Sequence, residues 1–138
     1  MEDVNTKSQA SNPKQYQSTN TKISKHYDLE ERTLAFARLI NQFVNNLPKS
    51  IPNIENGKQL VRSASSVCAN YIEANEALSK KDFILRIKIS RKEAKETRYW
   101  LSLITSLDQD SQQYLINETT ELIKILSSIL IKSSKANL

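Results

Sequence analysis

From Asn53 to its last residue the chain holds a single helix breaker, Gly57, because all three prolines lie before that point and no other glycine occurs. Glycine and proline are the residues that interrupt helices, so a stretch of this length with one breaker points to an all-α fold. At 138 residues the chain suits one domain with a real core and little material for a second. A lone cysteine, Cys68, excludes an internal disulfide and fits a reducing compartment. No apolar run approaches the roughly 20 residues of a membrane span, and no signal-peptide core opens the chain. A soluble, cytoplasmic protein is expected.

Residues 1–24 are of another composition. The run QASNPKQYQSTNTK has almost nothing apolar to bury and cannot offset its ordering entropy, so a disordered polar tail is expected there. Lys7, Lys14 and Lys22 could add weakly to binding of a polyanion; an inert leader is the simpler reading.

Four helices follow, over residues 25–134. The first is expected from Asp28, whose side chain can cap the free amides while Glu31 answers three residues later. Phe36, Leu39, Ile40, Phe43, Val44 and Leu47 make its apolar stripe, and Pro48 stops it. Asn53 is the expected cap of the second helix, which should run to about Leu78. Its positions Ser63, Ser65, Ser66, Ala69, Ala74 and Ala77 are small, which suggests a helix surrounded by protein. Ser79 caps the third helix with Asp82 at the reciprocal position, and no breaker appears before Asp108, giving about 27 residues or ~40 Å. Asp110 or Ser111 starts the fourth, with Leu115, Leu122, Leu126 and Ile129 as core stripe and Asn117, Glu121, Lys124 and Ser128 as wet face. An up-down-up-down antiparallel four-helix bundle with a disordered N-terminal tail is the natural solution.

The third helix carries the charge. Between Lys80 and Arg98 stand eight basic residues against three acidic ones, a segment charge of +5, which is the net charge of the whole protein. A field so concentrated points to an anionic partner. Its ordinary core face (Phe83, Ile87, Ser90, Ala94, Thr97, Trp100, Leu101, Ile104) fills an arc of about 140°. Leu85, Ile89, Leu103 and Leu107 gather on a different side, roughly 120° from the core centre. An apolar stripe rimmed by charge is what an association patch looks like, so Leu85, Ile89 and Leu103 are the expected homo-oligomer interface; a wide core-facing surface is the alternative. Lys81, Lys88, Lys92 and Lys95 span about 60° beside that stripe and, with Arg91, are the candidate nucleic-acid contacts. A solvated flank is the bland alternative, weakened by the eight-to-three imbalance. Tyr99 and Trp100 lie at the end of the basic run, so the interleaved aromatics of a single-strand binder are missing.

With the second and third helices antiparallel about Ser79, Arg62 falls level with Glu96, Asn70 with Lys88, and Glu73 near Arg86. Arg62, Asn70, Glu73 and Glu96 are thus expected to form a structural polar network that fixes register. A di-metal reading of the glutamates fails for want of Glu-x-x-His motifs, since the one histidine, His26, stands outside the bundle. Cys68 has no histidine partner and Gly57 stands alone, so no nucleophile, phosphate loop, metal or cofactor site is expected, and no enzyme.

The block QLVRSASSVCANYIEANEALSKKDFILRIKISRKEAKETRYWL, preceded by DLEERTLAFARLINQFVNNLP, resembles the bacterial four-helix-bundle proteins encoded in intervening sequences of 23S ribosomal RNA genes. The resemblance covers about residues 27–131. It implies a compact four-helix subunit assembling into a homo-oligomer, a ring of five. It also implies a distant likeness to the accessory protein of diversity-generating retroelements, which partners a reverse transcriptase and nucleic acid. By position it marks Arg62, Ser63, Asn70, Glu73, Phe83, Glu93, Glu96, Tyr99 and Trp100, most of them structural. The long polar N-terminal segment departs from the family pattern.

The expected function is therefore a non-enzymatic homo-oligomeric scaffold binding RNA or DNA through the basic third helix, mainly at phosphates. The rival is a protein-interaction module docking an acidic protein, without nucleic acid. A membrane-surface helix is a weaker third reading, because the apolar neighbours of the basic face fit packing better.

Overall fold

A computed structural model describes residues 29–135. The expected tail, the Asp28 cap and His26 lie outside the described residues. Within them the chain forms four helices: α1 (Leu29–Asn45), α2 (Ile51–Asn75), α3 (Lys80–Leu103) and α4 (Gln109–Lys135). Each helix packs on its two neighbours in a closed cycle, most extensively α2 on α3 and least α1 on α4. Cross-helix bonds fix the directions. Ser63 with Thr97, Ser90 with Val67, and Arg62 with Glu93 lie equidistant from the turn before Lys80, so α2 and α3 are antiparallel. Arg91 with Ser127 and Arg98 with Thr120 give the same sense to α3 and α4.

The core is in two parts. Phe36, Ile40, Phe43, Leu60, Leu101 and Leu122 belong to the cluster that includes α1. Val67, Ala74, Ile87, Ala94, Leu126 and Leu130 form the other, from α2, α3 and α4. Small hydroxyls lie buried among them: Thr97 Oγ1 donates to Ser63 Oγ at 2.9 Å, and Ser90 Oγ to the Val67 carbonyl at 2.7 Å. Small side chains let α2 and α3 approach closely enough for these bonds. Gly57, buried in α2, serves the same end against α1, because a Cβ there would meet Val44 Cγ1 at 3.2 Å.

The helix ends differ from expectation in instructive ways. Ser50 rather than Asn53 caps α2, its hydroxyl accepting the Asn53 N–H at 3.2 Å, with Pro52 in the first turn where it loses no hydrogen bond. Helix α2 closes at Asn75, short of the expected Leu78, which lies in the reversal and is 98% exposed. Nor is α2 surrounded: it lies between α1 and α3, and Ser65, Ala69 and Ile72 face outward. Ser79 caps α3 as expected, accepting the Asp82 N–H at 3.1 Å.

Helix α3 stops at Leu103, short of Asp108, although no local breaker stands there. Two side-chain amides from other helices terminate it. Asn53, buried, donates to the Thr105 carbonyl at 2.9 Å and accepts the Thr105 N–H at 3.2 Å, which occupies the groups that would continue the helix. Gln112 donates to the carbonyls of Leu101 at 2.7 Å and Ile104 at 2.9 Å, satisfying acceptors left open at the helix end. Asp108 then caps α4 through the Ser111 N–H at 3.0 Å. In α4, Leu115, Leu122 and Leu126 are buried, Ile129 is partly buried, and Asn117, Glu121, Lys124 and Ser128 are exposed.

Candidate functional site

The basic residues of α3 divide into two kinds. Lys81, Lys88, Lys92 and Lys95 are exposed and form no ion pair among the described residues. The arginines turn sideways. Arg86 bonds Asn70 Oδ1 and Glu73 Oε1, each at 3.2 Å; Arg91 donates to Ser127 Oγ at 3.3 Å and Arg98 to Thr120 Oγ1 at 3.2 Å. The guanidinium forks thus hold α3 to its neighbours, while the ammonium groups face solvent. Arg91 therefore stands apart from the lysine row, directed toward α4.

Tyr99 joins that row. At 100° per residue it falls within the arc of about 60° spanned by the lysines. It is 55% exposed, with its ring packed edge-to-face on Trp100 at a centroid distance of 4.8 Å. The Trp100 indole N–H donates to Glu96 Oε2 at 3.0 Å. Glu96 also accepts from Arg62 Nη2, and Arg62 Nη1 donates to Glu93 Oε1 at 3.2 Å. One guanidinium on α2 thereby orients two carboxylates and, through them, the aromatic pair beside the lysines. Asn70 and Glu73 do not reach this group; they meet Arg86 two to three turns further along. Arg62 is 45% exposed, so this is a surface network.

The outward apolar residues make two patches rather than one stripe. Leu85 is 51% exposed with Ile89 half-buried beside it, and Leu103 is 46% exposed at the other end of the helix. By helical phase Glu96, with its bound Arg62, stands between them. Leu107, 88% exposed, lies beyond the helix in the loop.

Sequence reasoning missed the most buried ion pair. Arg32 of α1 and Glu118 of α4 form a two-pronged bridge at 2.7 and 2.8 Å, with side chains 14% and 4% exposed. Its two hydrogen bonds to the accepting Glu118 carboxylate raise the Arg32 pKa against the opposing effect of burial. A signal was present, since Glu118 falls three residues after Leu115 and four before Leu122, in phase with the core. Among the described residues, no group of three or more His, Cys, Asp or Glu side chains is arranged to hold a metal ion. Among them also, no helix is long and apolar enough to cross a membrane.

Comparison with known proteins bears on this arrangement. The pattern of the family described as 23S rRNA-intervening sequence protein matches residues 25–128. A crystal structure of a protein of unknown function from the S23 ribosomal protein family of Bacteroides thetaiotaomicron is similar to this chain at 36% identity and a TM-score of 0.61. The similarity covers 73% of this chain and 96% of that one. Comparison with curated proteins gives no match.

Proposed function

The chain belongs to the 23S rRNA-intervening sequence protein family, and from that premise we propose that it is a non-enzymatic, homo-oligomeric helical scaffold that binds RNA or DNA through the outer face of α3. The observation that carries this reading is the division of labour among the basic residues. Four lysines on one flank have no acidic partner among the described residues, while the arginines of the same helix are engaged within the bundle. Unneutralised ammonium groups in a row are suited to phosphates as point charges, giving contacts driven by charge and shape rather than base sequence.

Oligomerisation would run through Leu85, Ile89 and Leu103, which lie on the outer side of α3. In a ring, a pentamer on this proposal, each copy would repeat the lysine row and multiply a modest charge into a large field. The protein would work in the cytoplasm, with a nucleic-acid-handling enzyme such as a reverse transcriptase as a candidate protein partner.

A second reading has its own support. Leu85 and Leu103 are half-exposed beside the lysines, the mixture an acidic protein partner would cover. Competition separates the two. A labelled RNA oligonucleotide should bind and be displaced by unlabelled RNA or DNA far more readily than by polyglutamate of matched charge. Binding of polyglutamate with no retention of any nucleic acid would favour the protein-docking reading instead.

A further inference from the structure

We propose that Tyr99 is a base-stacking platform at the end of the lysine row, so that the strand recognised by α3 is unpaired rather than duplex; this inference rests on the nucleic-acid reading above. Counted along the chain, Tyr99 lies outside the basic run. Placed on the helix, it shares a face with Lys88, Lys92 and Lys95, at intervals of four, three and four residues. The row rises about 16 Å from Lys88 to Tyr99 at the usual helical pitch.

Three features fit Tyr99 for this role. Its side chain is 55% exposed, although a large aromatic in a bundle ordinarily gains by burial. Its ring is braced edge-to-face at 4.8 Å and 66° by Trp100, and the Trp100 indole is fixed in turn by Glu96 at 3.0 Å. Glu96 is held by Arg62 across the helix pair, so the brace is anchored on α2 as well as α3. An aromatic held in place loses little freedom on stacking. A duplex buries the faces of its bases inside its own stack, whereas an unpaired strand can set a base on the ring while its phosphates follow the lysines.

Fluorescence anisotropy with the full chain tests the proposal, using a labelled twelve-nucleotide oligouridine and a twelve-base-pair RNA duplex as probes. Tyr99→Ala should weaken oligouridine binding by about 5- to 150-fold, the range for loss of one stacked base. Duplex binding and the salt dependence of oligouridine binding should not change, and Tyr99→Phe should bind like wild type. Trp100, the single tryptophan, gives a readout free of any substitution. Its emission should change when oligouridine binds the wild-type protein, because a base on Tyr99 alters the ring that Trp100 touches.

Equal binding of oligouridine by wild type and Tyr99→Ala, with Lys88→Ala still weakened, would overturn the platform and leave the lysine reading standing. Equal weakening toward both probes, or an unchanged Trp100 emission at saturation, would also overturn it. No binding of either probe by the wild type would overturn both readings.

Discussion

Arg32 and Glu118, 86 residues apart, meet where α1 rests on α4, the least extensive of the contacts between neighbouring helices. Their bridge is almost dry, so removing one partner leaves a buried charge without compensation. Glu118→Ala should lose about 3–5 kcal/mol in urea unfolding, whereas joint replacement of Arg32 and Glu118 by leucine should recover most of that loss. Equal losses in the single and double variants would show that the charges do not act as a pair. Arg32 has its pKa raised, so its contribution is complete below the unfolded value and is lost only as strong alkali titrates the folded group. Stability attributable to Arg32 should therefore be flat from neutral to mildly alkaline pH. The Arg62–Glu96 pair is a contrast, because Arg62 is 45% exposed and a double-mutant cycle should give only about 0.5–1 kcal/mol. That pairing could be read from the sequence because two adjacent helices joined by a short turn have few possible registers. The Arg32–Glu118 pair could not, since its partners lie in the first and last helices and only the whole bundle brings them together.

At the scale of the element, the lengths and faces of the helices follow from apolar periodicity, and their ends follow from side chains elsewhere. Ser79 was readable as a cap because its partner, the Asp82 N–H, is three residues away. The end of α3 was not, because Asn53 and Gln112 terminate it from other helices. Asn53 shows the cost of reading a capping residue by type alone, since Ser50 holds the cap and Asn53 ties the two loops of one end together. Asn53→Leu should thus destabilise by about 2–4 kcal/mol through orphaned backbone groups, against about 1 kcal/mol for Ser50→Ala. Similar costs for the two changes, measured by thermal or urea unfolding, would contradict that assignment. Tyr99 carries the same lesson for function, because its membership of the lysine face is plain in helical phase and hidden in a linear count.

For the whole molecule, the fold leaves apolar residues on the outside of α3 that a solitary bundle does not use. Leu85→Asp with Ile89→Asp should dissociate the assembly in light scattering while circular dichroism keeps its helical signal. A wild type that stays monomeric at tens of micromolar, a range in which obligate assemblies persist, would contradict the oligomeric reading. Interfaces are hard to read from one sequence because the same stripe serves a partner subunit or a wider core; the exposure of Leu85 and Leu103 in the bundle argues against the wider core. On the proposed function α3 holds phosphates through lysines that have no acidic partner among the described residues, and binding should therefore depend on salt. Each phosphate contact contributes a slope of about −0.9 in log affinity against log salt for duplex and about −0.7 for single strands. Binding of RNA measured from low to physiological salt should fall steeply for the wild type, and replacing Lys88 and Lys92 with alanine should flatten the slope by about one to two units while the oligomer persists. An unchanged slope and affinity in that double variant, or wild-type binding indifferent to salt, would contradict the account.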